Sequence, residues 1–188
     1  MNLAVVLDSC ILYSAPLRDL LLHLALSGLF QTKWSEEIHR EWMENLLINR
    51  PDLTREQLEY TRTRLNSLPD CLVTGYESLI STLHLPDEGD RHVLAVAIHS
   101  RSGIILTYNL KDFPLEALAK HRIQARHPDP FIMALIKAHP QRVLHAVRRH
   151  RQTLKRPPLG PTEYINAMER QHLSDTADWM RSQAKDQL

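Results

Sequence analysis

Short, unbroken apolar runs alternate along the chain with stretches whose apolar residues recur every three or four positions. This rhythm predicts strands separated by helices. Leu3-Ala4-Val5-Val6-Leu7 reads as a strand buried on both faces. Ser14 and Pro16 start a helix that runs through Leu20-Leu21-Leu22 to Gly28. Residues 30–34 read as a short strand, and Ser35 caps a helix with Ile38, Trp42 and Leu46 on its buried face. Thr54 and Gln57 form a capping-box pattern that opens a polar helix ending near Ser67. Residues 71–74 are a candidate strand and residues 76–83 a short helix. After the loop from Pro86 to Gly89, a helix runs from Asp90 to about Arg101 and buries Val93, Leu94, Ala97 and Ile98. Gly103 stops it, and a strand follows over residues 104–107. Pro114 opens another short helix, and residues 122–125 are a candidate edge strand.

Strands alternating with helices imply βαβ units, hence an α/β fold with a mainly parallel sheet and right-handed crossovers. The character changes after about Pro128, where only helical patterns remain, over residues 131–138 and 140–154. Arg156-Pro157-Pro158-Leu159-Gly160-Pro161 reads as a linker, and a final helix or helix pair follows from Thr162.

Composition narrows the class. A chain of 188 residues suits one domain, or one domain with an extension. Its 43% hydrophobic and 24% charged residues are those of a soluble globular protein. A formal net charge of +1 gives no bulk argument for nucleic acid. Cys10 and Cys71 have no metal-ligand spacing and read as reduced packing residues of a cytoplasmic protein. The first apolar run is short, lacks a basic flank and leads into Asp8, which argues against a secretory signal. No apolar run approaches the roughly 20 residues that span a bilayer, so no membrane association is expected.

The chemistry lies where strands end. In an open parallel sheet the ligand crevice is outside the carboxyl ends of the strands. Asp8 follows the first strand there, and Tyr108-Asn109-Leu110-Lys111-Asp112 follows the strand ending at Thr107. Asp90 begins an apolar helix, and Glu41 borders the buried face of its helix, whereas Glu36, Glu37 and Glu44 are expected to face solvent. Two carboxylates about 4 Å apart repel by roughly 4 kcal/mol at an effective dielectric near 20. Several converging acids therefore call for a divalent cation, and an all-oxygen donor set favours Mg²⁺ or Mn²⁺ over zinc. Such a site suits phosphoryl transfer or phosphodiester hydrolysis.

Each residue also has a plainer reading. Asp8, Asp90 and Asp112 could serve as helix caps. Asn109 could serve only its turn, and Thr107 could hydrogen-bond Asp8 or a substrate. Asp87 reads as a loop acid that could contact a second metal. His39 and His92 read as surface or packing residues, and Trp34 and Trp42 as core. The basic stretch holding Arg142, Arg148, Arg149, His150, Arg151, Lys155 and Arg156 could neutralise RNA phosphates, form a solvated face, or dock an acidic partner.

Four segments carry a resemblance. They are Leu7-Asp8-Ser9-Cys10-Ile11-Leu12, Trp34-Ser35-Glu36-Glu37-Ile38, Pro86-Asp87-Glu88-Gly89-Asp90-Arg91-His92-Val93-Leu94-Ala95-Val96-Ala97, and Thr107-Tyr108-Asn109-Leu110-Lys111-Asp112-Phe113. In order and spacing the chain resembles PIN-domain ribonucleases, most of all the bacterial VapC-like group, over roughly residues 1–135. The resemblance implies a three-layer α/β/α sandwich with a parallel sheet of about four or five strands, plus C-terminal helices. It divides the chain into a PIN-like catalytic domain over residues 1–136 and a helical extension over 137–188. It implies a metal-dependent endoribonuclease with Asp8, Glu41, Asp90 and Asp112 as catalytic acids. Asp8, Asp90 and Asp112 would bind Mg²⁺ or Mn²⁺, and Asn109 and Thr107 would be supporting contacts. Some relatives place an aspartate at the position of Asn109, so here the fourth acid rests on Asp112. An RNA substrate, a cognate antitoxin and a homodimer follow from the same resemblance. Two rivals are a catalytically silent RNA- or protein-binding PIN module and a haloacid-dehalogenase-type phosphatase. The second needs an aspartate two residues after the first, where this chain has Cys10.

Overall fold

The structure is a computed structural model in which residues 3–155 and 158–183 are described. Arg156 and Pro157 of the expected linker lie outside the described residues. The chain forms two compact units, one holding residues 3–13 and 31–126, the other residues 14–30 and the chain from 127 onward.

The first unit is built on strands β1 (Ala4–Leu7), β2 (Gln31–Lys33), β3 (Ile104–Leu106) and β4 (Gln124–Arg126). They form one sheet in the order β2-β1-β3-β4, with every pairing parallel. This meets the expected parallel α/β architecture of PIN type, with four strands. Val5, Val6 and Leu7 are wholly buried, which explains why β1 is an apolar run and not an alternation. Residues 71–74 make a single bridge, Trp34 with Leu72, in place of the strand expected there. Asp70 before them and Gly75 after them both adopt positive φ, so the extended stretch is too short to continue the ladder.

The register of β1 against β3 sets the position of the site. Leu7 pairs with Leu106, and the Asp8 amide donates to the Leu106 carbonyl at 3.1 Å. The next residues, Asp8 and Thr107, therefore emerge side by side at the carboxyl edge of the sheet. Helix α1 (Ser9–Tyr13) starts directly after Asp8, a short element that the sequence pattern did not reveal. Later in the unit come α3 (Glu36–Asn49), α4 (Arg55–Asn66), α5 (Glu77–Ile80), α6 (Arg91–His99) and α7 (Leu115–Ala119). Residues 93–97 of α6 are all buried, and the helix packs on β1 and β3.

Caps expected from sequence are present. The Ser35 hydroxyl accepts from the Ile38 amide at 3.3 Å, and both reciprocal bonds of the Thr54–Gln57 capping box form. Helix α3 is tied to α4 by a buried polar chain. The Trp34 indole donates to Asn66 Oδ1 at 2.8 Å, and the Trp42 indole donates to His39 Nδ1 at 2.9 Å. An indole N–H can only donate, so His39 is neutral, with its proton on Nε2, and donates to Asn66 Oδ1 at 2.9 Å. Burial lowers the His39 pKa and agrees with the neutral ring.

The second unit contains α2 (Ala15–Leu26), α8 (Pro128–Ala138), α9 (Pro140–Thr153), α10 (Pro161–Glu169) and α11 (Ser174–Gln183). Leu17, Leu20, Leu24, Phe131, Val147 and Met180 lie in its core. Four of these helices have proline in their first turn, where the missing N–H costs nothing. No described helix is long and apolar enough to cross a membrane.

Asp129 on α8 latches α11. Its buried carboxylate accepts from the amides of Asp175 and Thr176, each at 2.9 Å, and from the Thr176 hydroxyl at 2.6 Å. Asp129→Ala would strand three donors, two of them buried on Thr176, at an expected loss of about 2–4 kcal/mol. Urea unfolding followed by far-ultraviolet circular dichroism measures it, and an unchanged midpoint would mean that α11 is held by apolar packing alone.

Candidate active site

Asp8 accepts three hydrogen bonds through its carboxylate at the sheet edge. It is 2% exposed. Oδ1 accepts from the Ser9 amide at 2.6 Å, and Oδ2 accepts from the Thr107 hydroxyl at 2.7 Å and the Cys10 thiol at 3.2 Å. Thr107 is wholly buried, and its oxygen accepts from the Asn109 amide at 2.9 Å. One hydroxyl thus orients the carboxylate that follows β1 and the turn that follows β3. The Cys10 thiol is pushed up to about 12, first by burial and then by the Asp8 charge. It stays protonated and serves as a donor to Asp8. The position a dehalogenase-type phosphatase would fill with an acid is therefore chemically quiet.

Asp90 is the last residue of a 3₁₀ turn, Glu88–Asp90, and directly precedes α6. Its side chain makes no capping bond. Asp87 takes that local duty by accepting from the Gly89 amide at 2.8 Å. The Asp90 carboxyl is pushed from 3.8 up to about 7. Burial is the largest cause, followed by the charges of Asp8, Asp87, Asp112 and Glu41. All four sequence-selected acids, with Asp87, therefore share one electrostatic field, although they come from separate elements. Asp112 reaches it from the 3₁₀ turn Leu110–Asp112, closed by its amide bond to the Asn109 carbonyl at 3.0 Å. Asn109 itself is exposed.

Glu41 enters from α3. Its Oε1 accepts from His92 Nε2 at 2.8 Å, the histidine side chain being 6% exposed and the glutamate 27%. An ionised carboxylate only accepts, so the His92 proton is on Nε2. His92 Nδ1 is buried and has no hydrogen-bond partner among the described residues. The sequence presents His92 as a surface or packing residue. The available signal is a histidine at the head of the apolar run over residues 93–98, two residues after Asp90. Its partner, 51 positions away, is not legible locally.

Among the described residues, no three His, Cys, Asp or Glu side chains stand close enough together to form a ready-made metal cage. The acids share a field, not a finished coordination shell. This donor set still fits Mg²⁺ or Mn²⁺. Mg²⁺ is commonly held by one or two carboxylates, with water and substrate oxygens completing the octahedron. The Asp90 pKa is raised first by burial and then by repulsion from the neighbouring acids, and a cation would relieve the second.

Two family models match the chain in consecutive stretches, the first of which includes residues 14–30 of the second compact unit. A PIN-domain family model matches residues 4–111, more than half of the chain. A second model, the VapC50 C-terminal domain, matches residues 128–182. A curated protein of Mycobacterium tuberculosis (strain ATCC 25618 / H37Rv), named "Putative ribonuclease VapC50", is 32% identical over 106 residues. That stretch covers 56% of this chain and 62% of the relative's length. No solved structure matches.

Proposed function

The chain belongs to the PIN-domain family, and on that footing we propose that it is a Mg²⁺- or Mn²⁺-dependent endoribonuclease that hydrolyses RNA phosphodiester bonds. The observation that carries the reading is the placement of buried Asp8 beside Thr107 at the carboxyl edge of the sheet, with Asp90, half-buried, in the field of Asp8, Asp87, Asp112 and Glu41. Converging acids of this kind repel one another unless a cation or a proton intervenes. The name of the similar mycobacterial protein supports RNA as the substrate class.

In this reading Asp8, Asp90 and Asp112 hold the metal. When bound, the metal supplies positive charge for the phosphate oxygens and acidifies a coordinated water. The protein supplies orientation. Thr107 and Cys10 fix the Asp8 carboxylate, and Asn109 marks the rim through its bond to Thr107. Glu41 and Asp112 complete the carboxylate ring and position a water; its oxygen would add to phosphorus as the P–O ester bond breaks, its proton passing to the surrounding carboxylates and the departing oxygen taking a proton from solvent. His92 holds Glu41 in place. Residues 1–136 form the catalytic domain in this proposal and 137–188 its extension.

Incubation of the purified protein with RNA, with Mg²⁺ or Mn²⁺ and again with EDTA, tests the activity. Cleavage only in the metal-containing reactions is expected, and cleavage undiminished by EDTA would contradict the metal. The cytoplasmic setting we assign is that of a toxin, acting as a homodimer and restrained by an antitoxin segment that covers the acids. In a tight complex with that partner, added Mg²⁺ alone does not restore cleavage.

The Glu41–His92 bond gives a separate expectation. His92→Leu removes the donor and should lower kcat by about 10- to 100-fold, the usual cost of losing a partner that orients a ligand. His92→Gln, whose amide nitrogen can occupy the place of Nε2, should recover most of it. Equal rates in His92→Leu and the parent would show that Glu41 needs no such support.

A further inference from the structure

We propose that the outward face of α9 is a docking surface for RNA phosphates, which gives the second compact unit a role in holding the substrate. The choice of polyanion rests on the ribonuclease reading above.

Charge is segregated along this chain. Between Asp129 and Glu163 there are seven Lys and Arg residues and no Asp or Glu. The whole chain sums to only +1, so the remainder is net acidic. Helix α9 lies within the basic stretch. Val143, Leu144, Ala146, Val147 and His150 form its buried side. Arg142, His145 and Arg149 recur at the exposed i, i+3 and i+7 positions, flanked by exposed Gln141 and Gln152. Exposed Lys137 precedes the helix and exposed Lys155 follows it.

Several arginines on other surface helices are neutralised by carboxylates of their own helix. Arg40 pairs with Glu37 and Glu44 on α3, Arg62 with Glu59 on α4, and Arg181 with Asp178 on α11. Helix α9 has no carboxylate with which to do this. Two of its arginines are instead steadied by neutral carbonyls, Arg142 on Ser27 at 2.7 Å and Arg151 on Leu159 at 3.0 Å. A carbonyl fixes a guanidinium without cancelling its charge. Asp19 on α2 is an acid whose field reaches His150, and its carboxylate is paired with Arg18 at 3.1 Å.

A positive, hydrogen-bonding face suits phosphates, which take their affinity from Lys and Arg and accept bonds from amide side chains. A protein partner would need an apolar anchor at the centre of its footprint. The exposed positions on α9 between Gln141 and Gln152 hold only Arg, His and Gln.

The test uses the full chain carrying Asp8→Asn, in EDTA, so that binding is read without cleavage. The probe is a fluorescein-labelled single-stranded oligoribonucleotide, followed by anisotropy across a KCl series. Adding Lys137→Gln, Arg149→Gln and Lys155→Gln should weaken binding by about tenfold or more at low salt. It should also flatten the log K against log salt slope by about 2, at roughly 0.7 for each phosphate that is no longer neutralised. Lys137→Arg, Arg149→Lys and Lys155→Arg, combined in the same background, should bind as the parent does. Thermal melting confirms that each variant is folded. The inference is overturned if the neutralised variant keeps the parental affinity and slope, which would leave the face to an acidic protein partner. It is equally overturned if the parent does not bind the RNA at all. A wild-type protein that cleaves RNA while the neutralised variant binds unchanged would sink only the docking surface. Weakened binding in the neutralised variant without any cleavage by the wild type would sink only the nuclease reading.

Discussion

Asp8→Asn is expected to lower RNA cleavage by about 10³-fold or more while the protein remains folded. The substitution is nearly isosteric. The amide oxygen can still accept from the Ser9 amide, and the Thr107 hydroxyl can rotate to accept from the new NH₂ group. What disappears is the negative charge. Asp8 is the acid most firmly held by its neighbours, with three donors on its two oxygens. It is therefore the acid least able to be replaced by movement of another. Cleavage of labelled RNA in Mn²⁺ measures the effect, beside a thermal melt of the same preparation. Full activity in a folded Asp8→Asn protein would remove the acid from the mechanism.

Asp90→Asn should do two opposite things. It should remove activity to a similar degree, and it should stabilise the metal-free protein at neutral pH. The sign follows from the direction of the pKa. In the folded state Asp90 holds its proton up to about 7, against 3.8 for the ordinary carboxyl. The native state therefore binds the proton more tightly than the unfolded chain does. The associated stability is fully present below about pH 4 and is lost as pH rises through 7. The neutral amide carries no such penalty. Water screens a half-buried carboxyl, so at pH 8 the amide should add less than the full shift implies, roughly 1–2 kcal/mol, or on the order of 3–6 °C in Tm. Melting curves in EDTA from pH 4 to pH 8 test this. The two proteins should converge in acid and separate towards pH 8, with the variant the more stable. Mg²⁺ should then raise the Tm of the wild type and leave that of Asp90→Asn nearly unchanged. A variant that melts lower than wild type at pH 8 would show that the acids do not crowd one another.

Both outcomes depend on features that were legible to different degrees. Asp8 was legible because an apolar run ending in an acid marks the carboxyl edge of a buried strand. Its neighbour across the sheet, Thr107, was legible for the same reason. The caps at Ser35 and Thr54 were readable because capping chemistry is local, set by residues three apart. Glu41 could be separated from Glu36, Glu37 and Glu44 by its position beside the apolar face of α3. The contacts that orient the acids were legible only in part. The bond from Thr107 to Asp8 is one of the two roles its strand-end position offers, and the β1–β3 register joins the two residues across 99 positions. The bond between His92 and Glu41 was not legible, because 51 positions separate them. Helix α1, at five residues, is too short to show a period. The stretch over residues 71–74 carried the apolar character of a strand, but its flanking turns leave room for a single bridge. Likewise, no local pattern announces that α2 belongs to the same compact unit as the C-terminal helices.

The most direct measurement of the central claim is a calorimetric titration of the metal-free protein with Mn²⁺ near pH 8, where Asp90 is ionised. The expected result is saturable binding that is lost in Asp8→Asn and in Asp90→Asn, although both remain folded. Wild-type protein that takes up no Mn²⁺, or variants that bind it as tightly as wild type, would contradict the claim that these acids are gathered to hold a cation.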